Sequence, residues 1–251
     1  MNFNAVDEKM KAINILILFG TCLLHQASFG QQLDYSPWAT LLQKHVSLNG
    51  MVDYEGFYGD KANLTEFTDY LTENTPKASW SDNQRKAYLI NLYNANTVRL
   101  IVDHYPVKSI KDIVDGLSNV FKHNFIDFDG EKISLDDVEK KMLLPMGDAR
   151  VHFAINCASK SCPKLANYAF DPERLDKQLD QVTKDFINSS HVEVVNGKVL
   201  VSKIFKWYES DFEQASGSVI KFINAYAENK INADLKINYL DYSWDLNGTN
   251  Q

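Results

Sequence analysis

The longest helical pattern in the sequence is Asp82-Asn-Gln-Arg-Lys-Ala-Tyr-Leu-Ile-Asn-Leu-Tyr-Asn-Ala-Asn-Thr-Val-Arg-Leu-Ile-Val102. Asp82 is predicted to cap the helix, and the stretch ends before Pro106, where a helix rarely continues. The run contains neither glycine nor proline, the two residues that most strongly oppose a helix interior. The sequence therefore predicts one continuous helix from Asp82 to Val102.

Shorter segments on both sides of this helix predict a mixture of helices and hairpins. Segments 125–133 and 191–201 are predicted hairpins, because they turn at Asp-Gly and Asn-Gly dipeptides that adopt the positive φ of type I′ turns. Ser134 and Asp137 predict a capping box at the start of the next helix. Further helices are predicted over 37–46, 135–144, 171–186, 203–214 and 217–229, with a short strand near 236–242. Helices with short antiparallel strands, and without regular βαβ alternation, predict an α+β fold.

Residues 1–30 have the organisation of a secretory signal peptide. Two lysines precede an apolar run over 13–24, which is too short to cross a bilayer core of about 30 Å as a helix. Ser28 and Gly30 are small residues that suit a cleavage site before Gln31. We therefore expect a secreted or periplasmic protein with no stable membrane insertion after processing.

The remaining residues, 31–251, are predicted to form a single globular domain. The chain of 251 residues is 45% hydrophobic and 12% aromatic, which is enough for a sizeable core. Its formal net charge is −7 and its lysines and arginines are scattered, so a nucleic-acid footprint is not expected. We predict an unknown small-molecule or peptide-like ligand and no cofactor.

The segment Arg150-Val-His-Phe-Ala-Ile-Asn-Cys-Ala-Ser-Lys-Ser-Cys-Pro163 carries the densest set of reactive side chains. Apolar residues alternate with polar or small ones over 151–156, which predicts a strand that ends at Cys157. Asp148 and Arg150 are expected to form an ion pair just before it.

The two cysteines of this segment, Cys157 and Cys162, admit several interpretations. In an oxidising compartment they are able to form a structural disulfide, although so small a loop contributes only about 2 kcal/mol. Alternatively Cys157 is a nucleophile whose thiolate is stabilised by His152, with the other cysteine as a resolving or regulatory partner. Cys162 precedes Pro163, a possible first residue of a helix, which would lower its own pKa. A zinc site that includes His152 and inert buried thiols are the remaining alternatives.

His152 has candidate partners that would orient its imidazole. Asn156 lies on the same face of the predicted strand, and Glu139 lies on the preceding helix. Either side chain would supply the third role in a Cys–His–acid or Cys–His–amide constellation. Backbone amides near Ala158 and Ser159 are candidates to hold an oxyanion, so Ser159 is a candidate substrate-binding residue.

Asn91, Tyr93 and Asn94 form a second polar cluster, on the long helix. Asn91 and Asn94 are three residues apart and share one face. Because asparagine is a poor residue in the middle of a helix, its amide needs partners there. The cluster either holds a buried network together or lines a cleft that binds substrate.

Other aromatic and imidazole side chains are given structural interpretations. The pairs Trp207-Tyr208 and Tyr242-Trp244 are expected to pack in the core and in a lid rather than to form a substrate platform. The histidines expected at the surface or at element boundaries are His45, His104, His123 and His191.

A succession of motifs resembles the domain-of-unknown-function family 547, in its exported bacterial branch. The motifs are Asn91-x-Tyr93-Asn94, Ser134-Leu-Asp-Asp-Val-Glu139, Asp148-x-Arg150-x-His152-Phe-Ala, Cys157-x-Ser-x-Ser-Cys162-Pro, Phe205-x-Trp207-Tyr-x-x-Asp211-Phe and Tyr242-x-Trp244-x-Leu-Asn247. They run in order over most of residues 35–247. The departure is Lys140, where the resemblance leads us to expect a histidine. At the level of fold the chain also resembles papain- and transglutaminase-like thiol enzymes.

The leading functional hypothesis is thiol-dependent hydrolysis or acyl transfer at amide or peptide-like bonds. Cys157, or Cys162, would attack a carbonyl, with His152 as base and later as acid. The alternatives are a non-enzymatic binding or assembly domain with a structural disulfide, and a thiol-redox or metal-binding protein.

Overall fold

Short helices and strands surround one long helix in this α+β fold. The structure is a computed structural model that describes residues 33–113 and 119–249; the predicted signal peptide and its cleavage site lie outside the described residues. The α-helices are α1 (Ser36–His45), α2 (Tyr54–Gly59), α3 (Lys61–Glu73), α4 (Asp82–Asp103), α5 (Leu175–Ile187), α6 (Ile204–Trp207), α7 (Glu209–Ser216) and α8 (Val219–Tyr226). The strands are β1 (Ile126–Phe128), β2 (Glu131–Ile133), β3 (Val192–Val195), β4 (Lys198–Val201) and β5 (Ile237–Tyr239).

Helix α4 is the long helix expected from the sequence, and it contacts α2, α3 and the segment 137–143. Its N-cap is Ser81 rather than Asp82. Ser81 Oγ accepts a hydrogen bond from the Gln84 amide at 3.2 Å, and the Ser81 amide donates to Gln84 Oε1 at 2.8 Å. This capping box satisfies backbone donors that the first turn of a helix leaves without partners.

Both predicted hairpins are confirmed. Strands β1 and β2 are antiparallel, and so are β3 and β4. The turn residues Asp129 and Gly130 have φ of 50° and 82°, and Asn196 and Gly197 have φ of 50° and 71°. These positive φ values are the reason that the dipeptides were recognisable in the sequence.

Strand β5 differs from the expectation of antiparallel strands, because it pairs with β4 in parallel, with Val199 opposite Ile237. In sequence, helices α6, α7 and α8 separate β4 from β5. They carry the chain back to the end of the sheet at which β4 begins, so that β5 runs in the same direction as β4. Parallel neighbours require a long crossover of this kind. The third strand therefore depends on the packing of three helices rather than on a local turn.

Three helical predictions need correction. The segment predicted as an α-helix over 135–144 is mainly a π-helix, Asp137–Leu143, although its capping box is present, with Ser134 N to Asp137 Oδ2 at 2.9 Å. The helix predicted over 203–214 is broken at Tyr208 into α6 and α7. Helix α5 begins only at Leu175, after a turn.

The predicted strand around His152 is wrong. Residues Ala149–Phe153 form a 3₁₀ helix, capped by Asp148 Oδ1, which accepts from the Arg150 amide at 3.2 Å. The pattern was misleading because Val151, His152 and Phe153 are all buried, so the segment has no solvent face to produce a true alternation. Burial on all sides removes the signal that separates a strand from a helix.

This 3₁₀ helix lies between two hydrophobic clusters. Val151 belongs to the larger cluster around α4, and Phe153 belongs to a second cluster that includes Phe205 and Phe212. Its position fixes His152 at the junction of the two clusters. Among the residues that the structure describes, no helix has the length and apolar character needed to cross a membrane.

Candidate thiol site

A pocket of about 210 Å³ opens beside the cysteine segment. Side chains from α4, the π-helix, the 3₁₀ helix, the cysteine loop (residues 157–163) and the C-terminal segment (residues 240–249) meet in it. The residues that line it are Tyr93, Asn119, Phe121, Asp136, Glu139, Lys140, His152, Ile155, Cys157, Cys162, Pro163, Ile204, Trp207, Tyr208, Tyr242 and Trp244. The pocket therefore brings together five of the nine side chains predicted as site residues.

Cys157 is a partly exposed free thiol in this pocket. Its Sγ lies 3.2 Å from Ser159 Oγ and 3.3 Å from the Tyr242 hydroxyl. Burial by itself would raise the pKa of Cys157, but hydrogen bonds from Cys162, Ser159 and Tyr242 together lower it to about 7. A substantial fraction of Cys157 is therefore thiolate at neutral pH.

Cys162 is the buried neighbour of this thiol. Its Sγ accepts a hydrogen bond from the Cys157 amide at 2.9 Å, and both cysteines are free rather than joined in a disulfide. Burial, together with the neighbouring Cys157, raises the pKa of Cys162 well above its ordinary value. The two thiols are thus chemically unequal, with Cys157 the better nucleophile at neutral pH.

No described cluster of three or more His, Cys, Asp or Glu side chains is placed to hold a metal ion. This finding applies to His152, Cys157 and Cys162, which the sequence raised as a zinc set. The ring nitrogen Nε2 of His152 is occupied by a carboxylate, and Cys162 Sγ accepts from a backbone amide.

Asn156 shapes the cysteine loop. Its side chain donates to the Pro163 carbonyl at 2.7 Å and accepts from the Ala158 amide at 2.9 Å, while its own backbone amide donates to Asn94 Oδ1. These bonds hold Ala158 at a φ of 60°, a conformation that alanine rarely adopts. Asn156 therefore braces the backbone, and it makes no hydrogen bond to His152 among the described residues.

The backbone amides expected to hold an oxyanion are already engaged. The Ala158 amide donates to Asn156, and the Ser159 amide is directed to Cys157, where it helps to lower the pKa of that thiol. The side chain of Ser159 is buried and lies 3.2 Å from the Tyr242 hydroxyl. Ser159 thus acts on the sulfur of Cys157 in this structure.

His152 is bonded to an acid that the sequence analysis did not select. Its Nε2 lies 2.8 Å from Asp211 Oδ2, and its ring stacks on Tyr208 with centroids 3.9 Å apart. The hydrogen bond from His152 lowers the pKa of Asp211. The other ring nitrogen, Nδ1, is buried and has no hydrogen-bond partner among the described residues. The partner of the imidazole is therefore Asp211, and not Asn156 or Glu139.

Glu139 is a buried carboxyl group that lines the same pocket. It accepts a short hydrogen bond from the Tyr208 hydroxyl. Burial raises the pKa of Glu139, and the Tyr208 hydrogen bond and nearby His152 only partly oppose this effect. Tyr208 is accordingly a bridge that contacts Glu139 with its hydroxyl and His152 with its ring.

Asn91 and Asn94 of α4 form hydrogen bonds to loop backbone and do not line the pocket. Asn91 donates to the Phe170 carbonyl at 2.8 Å and accepts from the Phe170 amide at 3.0 Å. Asn94 donates to the Ala154 carbonyl at 2.9 Å and holds the Asn156 amide at the same distance. Tyr93, between them in sequence, does line the pocket.

Aromatic side chains form one wall of the pocket. Trp207 is 47% exposed, and its ring centroid lies 4.7 Å from that of Tyr242 and 6.1 Å from that of Trp244. Lys111 Nζ lies 3.8 Å from the Trp244 ring centroid, a cation–π contact. These rings surround an opening in addition to packing on each other, which the sequence analysis did not expect.

The sequence also predicted an ion pair before the cysteine segment and the position of His45. The ion pair between Asp148 and Arg150 is confirmed at 2.8 Å, and Lys86 joins it at 3.0 Å. His45 lies at an element boundary, one of the two positions expected for it, because it is the last residue of α1; its side chain is buried, and its Nε2 lies 2.6 Å from Asp60 Oδ2. Its partner Asp60 lies where α2 ends and α3 begins. The sequence has no local pattern that joins the two residues, so only the tertiary contact reveals the pair.

Asp211, Tyr208 and Tyr242 are the site residues that sequence reasoning missed. All three were present in motifs that carried the family resemblance, yet none lies near residues 150–163 in the sequence. Spacing along the chain contained no signal that would join them to His152 or Cys157. The motif membership of Asp211 was the available clue.

The fold and the site define a class of α+β protein in which a free thiol, a buried carboxyl group and an imidazole bonded to an aspartate outside the pocket are brought together. Residues 77–187 match the model of the family described as "Protein of unknown function, DUF547". This stretch is similar to that family and contains α4, Glu139, His152 and the cysteine loop. Comparison with curated proteins found no match. Comparison with solved structures likewise found no match, so the papain- and transglutaminase-like resemblance stays a prediction.

Proposed function

We propose that the protein is a thiol-dependent hydrolase or acyl transferase acting on amide or peptide-like bonds. The observation that carries the proposal is Cys157, a free thiol that is hydrogen-bonded to Ser159 and Tyr242 at the wall of a pocket. A sulfur that is accessible, free and partly ionised at neutral pH is suited to nucleophilic attack. His152, which lines the same pocket and is bonded to Asp211, supplies the second requirement, a base held by a carboxylate.

The proposed reaction has two steps. In the first, the Cys157 thiolate attacks the carbonyl carbon; the C–S bond forms, the C–N bond breaks, and the amine leaves with a proton supplied within the pocket. In the second, His152 takes a proton from water or from an acceptor amine, which attacks the thioester. The C–S bond then breaks and Cys157 leaves as the thiolate.

The hydroxyls that hold the resting thiolate have a second use in this reaction. Once the sulfur is acylated it no longer carries a negative charge, and Ser159 and Tyr242 lose their charged acceptor. We assign Tyr242 the role of donor to the oxyanion, in place of the engaged Ala158 amide.

Acylation by 4-nitrophenyl acetate tests the proposal. We expect a burst of nitrophenolate and the addition of one acetyl group to Cys157, detected by peptide mass spectrometry. Cys157→Ala removes both signals, whereas Cys162→Ser is still acetylated at residue 157.

An unchanged burst in Cys157→Ala would overturn the hydrolase proposal. If Cys157 and Cys162 were instead recovered as a disulfide that reduces only after unfolding, the non-enzymatic binding domain would be the better description. Binding of stoichiometric zinc that masks both thiols would favour the metal-binding alternative.

We also propose that the protein is exported and acts outside the cytoplasm. The support is the lysine-flanked apolar run over 13–24 and the small residues that precede Gln31. Mass spectrometry of the protein from an expressing bacterium is expected to show an N-terminus at Gln31. A protein that retains residues 13–24 would contradict processing at this site.

A further inference from the structure

We propose that Glu139 is a second acid–base residue of this site, which donates the proton that the leaving amine requires. This inference rests on the proposed thiol chemistry and adds a residue that acts separately from His152. It assigns the base role in the second step to His152 and the acid role in the first step to Glu139.

The first observation is the burial of Glu139 without a cation. The residue is 6% exposed, and the hydrogen bond that its carboxyl receives among the described residues comes from the neutral Tyr208 hydroxyl. The adjacent Lys140 forms its ion pair with Asp136 instead. The Tyr208 hydroxyl replaces only part of the hydration that this carboxylate loses on burial, so the pKa of Glu139 is raised.

The second observation is the position of Glu139 relative to the thiol. Both side chains line the same pocket, and two phenols lie close to both of them. Burial is the largest cause of the raised pKa values of Tyr93 and Tyr208. The charge of Glu139 and, to a smaller extent, the charge of Cys157 raise both pKa values further. A substrate carbonyl at Cys157 would therefore be bound in a pocket that the Glu139 carboxyl also lines.

The third observation is the contrast between the two acids of the site. The His152 hydrogen bond lowers the pKa of Asp211, whereas burial raises the pKa of Glu139. Carboxyl groups whose environments move their pKa values in opposite directions are suited to different roles, one as a charged orienting group and the other as a proton donor. The titratable or charged groups around Glu139 are Tyr93, Asp136, Lys140, His152, Cys157, Cys162 and Tyr208.

The proton balance of the first step is then complete. The Cys157 thiolate forms the C–S bond, the C–N bond breaks, and the nitrogen takes the proton of the Glu139 carboxyl. The products are a thioester, a neutral amine and the Glu139 carboxylate. Glu139 recovers its proton from water or from His152 during the second step.

Leaving groups that differ in their need for a proton provide the kinetic test. Nitrophenolate of 4-nitrophenyl acetate leaves as an anion, whereas the amine of an acetyl-anilide probe must be protonated. We expect Glu139→Gln to keep the ester burst within about threefold and to lose about 10²-fold or more in anilide cleavage, the usual contribution of a positioned acid. Glu131→Gln, the same substitution at an exposed residue of β2 outside the pocket, is the matched control and keeps both activities.

An equal loss of ester and anilide activity in Glu139→Gln would overturn the acid role, because it would indicate a structural effect. Loss of both activities in Cys157→Ala together with retention in Glu139→Gln would leave the thiol chemistry intact and remove Glu139 from it. Activity of Cys157→Ala on both probes would instead contradict the proposed function itself.

Infrared spectroscopy tests the protonation state without a substrate. The difference between wild type and Glu139→Gln, followed as the pH is raised, is expected to show the carbonyl stretch of a protonated carboxyl group persisting to a higher pH than an exposed glutamate allows. Glu131→Gln, at an exposed residue outside the pocket, retains that band. Tyr208→Phe shifts it in frequency, because the hydrogen bond to the carboxyl is removed. A band that is lost at the pH at which an exposed glutamate ionises would overturn the proposal.

Discussion

Two buried histidines of this protein are each bonded to an aspartate, but the other side chains around them differ. His45 Nε2 lies 2.6 Å from an oxygen of Asp60, and His152 Nε2 lies 2.8 Å from an oxygen of Asp211. Each ring also lies against an aromatic side chain, at centroid distances of 4.8 Å and 3.9 Å respectively.

The second ring nitrogen distinguishes the two histidines. His45 Nδ1 lies 4.0 Å from Asp53 Oδ2, so both sides of the ring face carboxylates. His152 Nδ1 has no partner among the described residues, and the side chain lines a pocket with a free thiol. A His–Asp pair alone is therefore a structural motif, and the unpartnered nitrogen and the pocket are what make His152 a functional candidate.

The largest expected effect on turnover comes from removing the charge of Asp211, the aspartate bonded to His152. Asp211→Asn is expected to lower turnover of the acyl-enzyme by about 10²-fold, because it weakens the orientation and the charge stabilisation of the His152 ring. The measurement is the steady-state rate with 4-nitrophenyl acetate after the burst.

Asp60→Asn is the matched control for this prediction. We expect its turnover to match that of wild type and its free energy of unfolding to fall, since hydrogen bonds to Lys44 and His45 are weakened. Equal losses of turnover in the two variants would remove the distinction between the histidines.

The pH dependence of stability tests Asp148, which caps the 3₁₀ helix that carries His152. Lys86 and Arg150 outweigh the burial of Asp148 and lower its pKa to about 2, below the ordinary 3.8. The carboxylate therefore stabilises the fold above pH 4, and this contribution is lost as the pH falls from about 4 to 2. Urea unfolding is expected to show that wild type loses roughly 1–2 kcal/mol more than Asp148→Asn between pH 5 and pH 2. Parallel pH curves would contradict this coupling.

The smallest expected effect concerns the thiol. The rate of alkylation of Cys157 by iodoacetamide should rise with pH around a midpoint near 7. Tyr242→Phe removes one hydrogen bond to the thiolate, which moves the midpoint up by about one unit and slows alkylation at pH 7 about fivefold.

Tyr208→Phe is the control for the thiol prediction, because the Tyr208 hydroxyl is bonded to Glu139 rather than to the sulfur. Its alkylation midpoint should stay in place. A shift of equal size in both variants would mean that the pocket as a whole, and not the Tyr242 hydroxyl, controls the reactivity of Cys157.

Local patterns were enough to predict the long helix α4, both hairpins, the capping box at Ser134 and the α+β class. Each of these depends on residues close together in the chain: apolar periodicity, Asp-Gly and Asn-Gly turns, or a side chain that bonds a neighbouring amide. The reactive segment 150–163 was also visible, since its side chains are adjacent in sequence.

Contacts between distant segments decided the rest. The bond of His152 to Asp211 spans 59 residues, and the contact of Cys157 with Tyr242 spans 85. No local pattern specifies such pairs, because they depend on how α7 packs against the 3₁₀ helix and how the C-terminal segment packs against the cysteine loop. The same limit explains the misassigned strand: when every side of a segment is buried, the periodicity that reports its conformation disappears, and only the packed structure defines it.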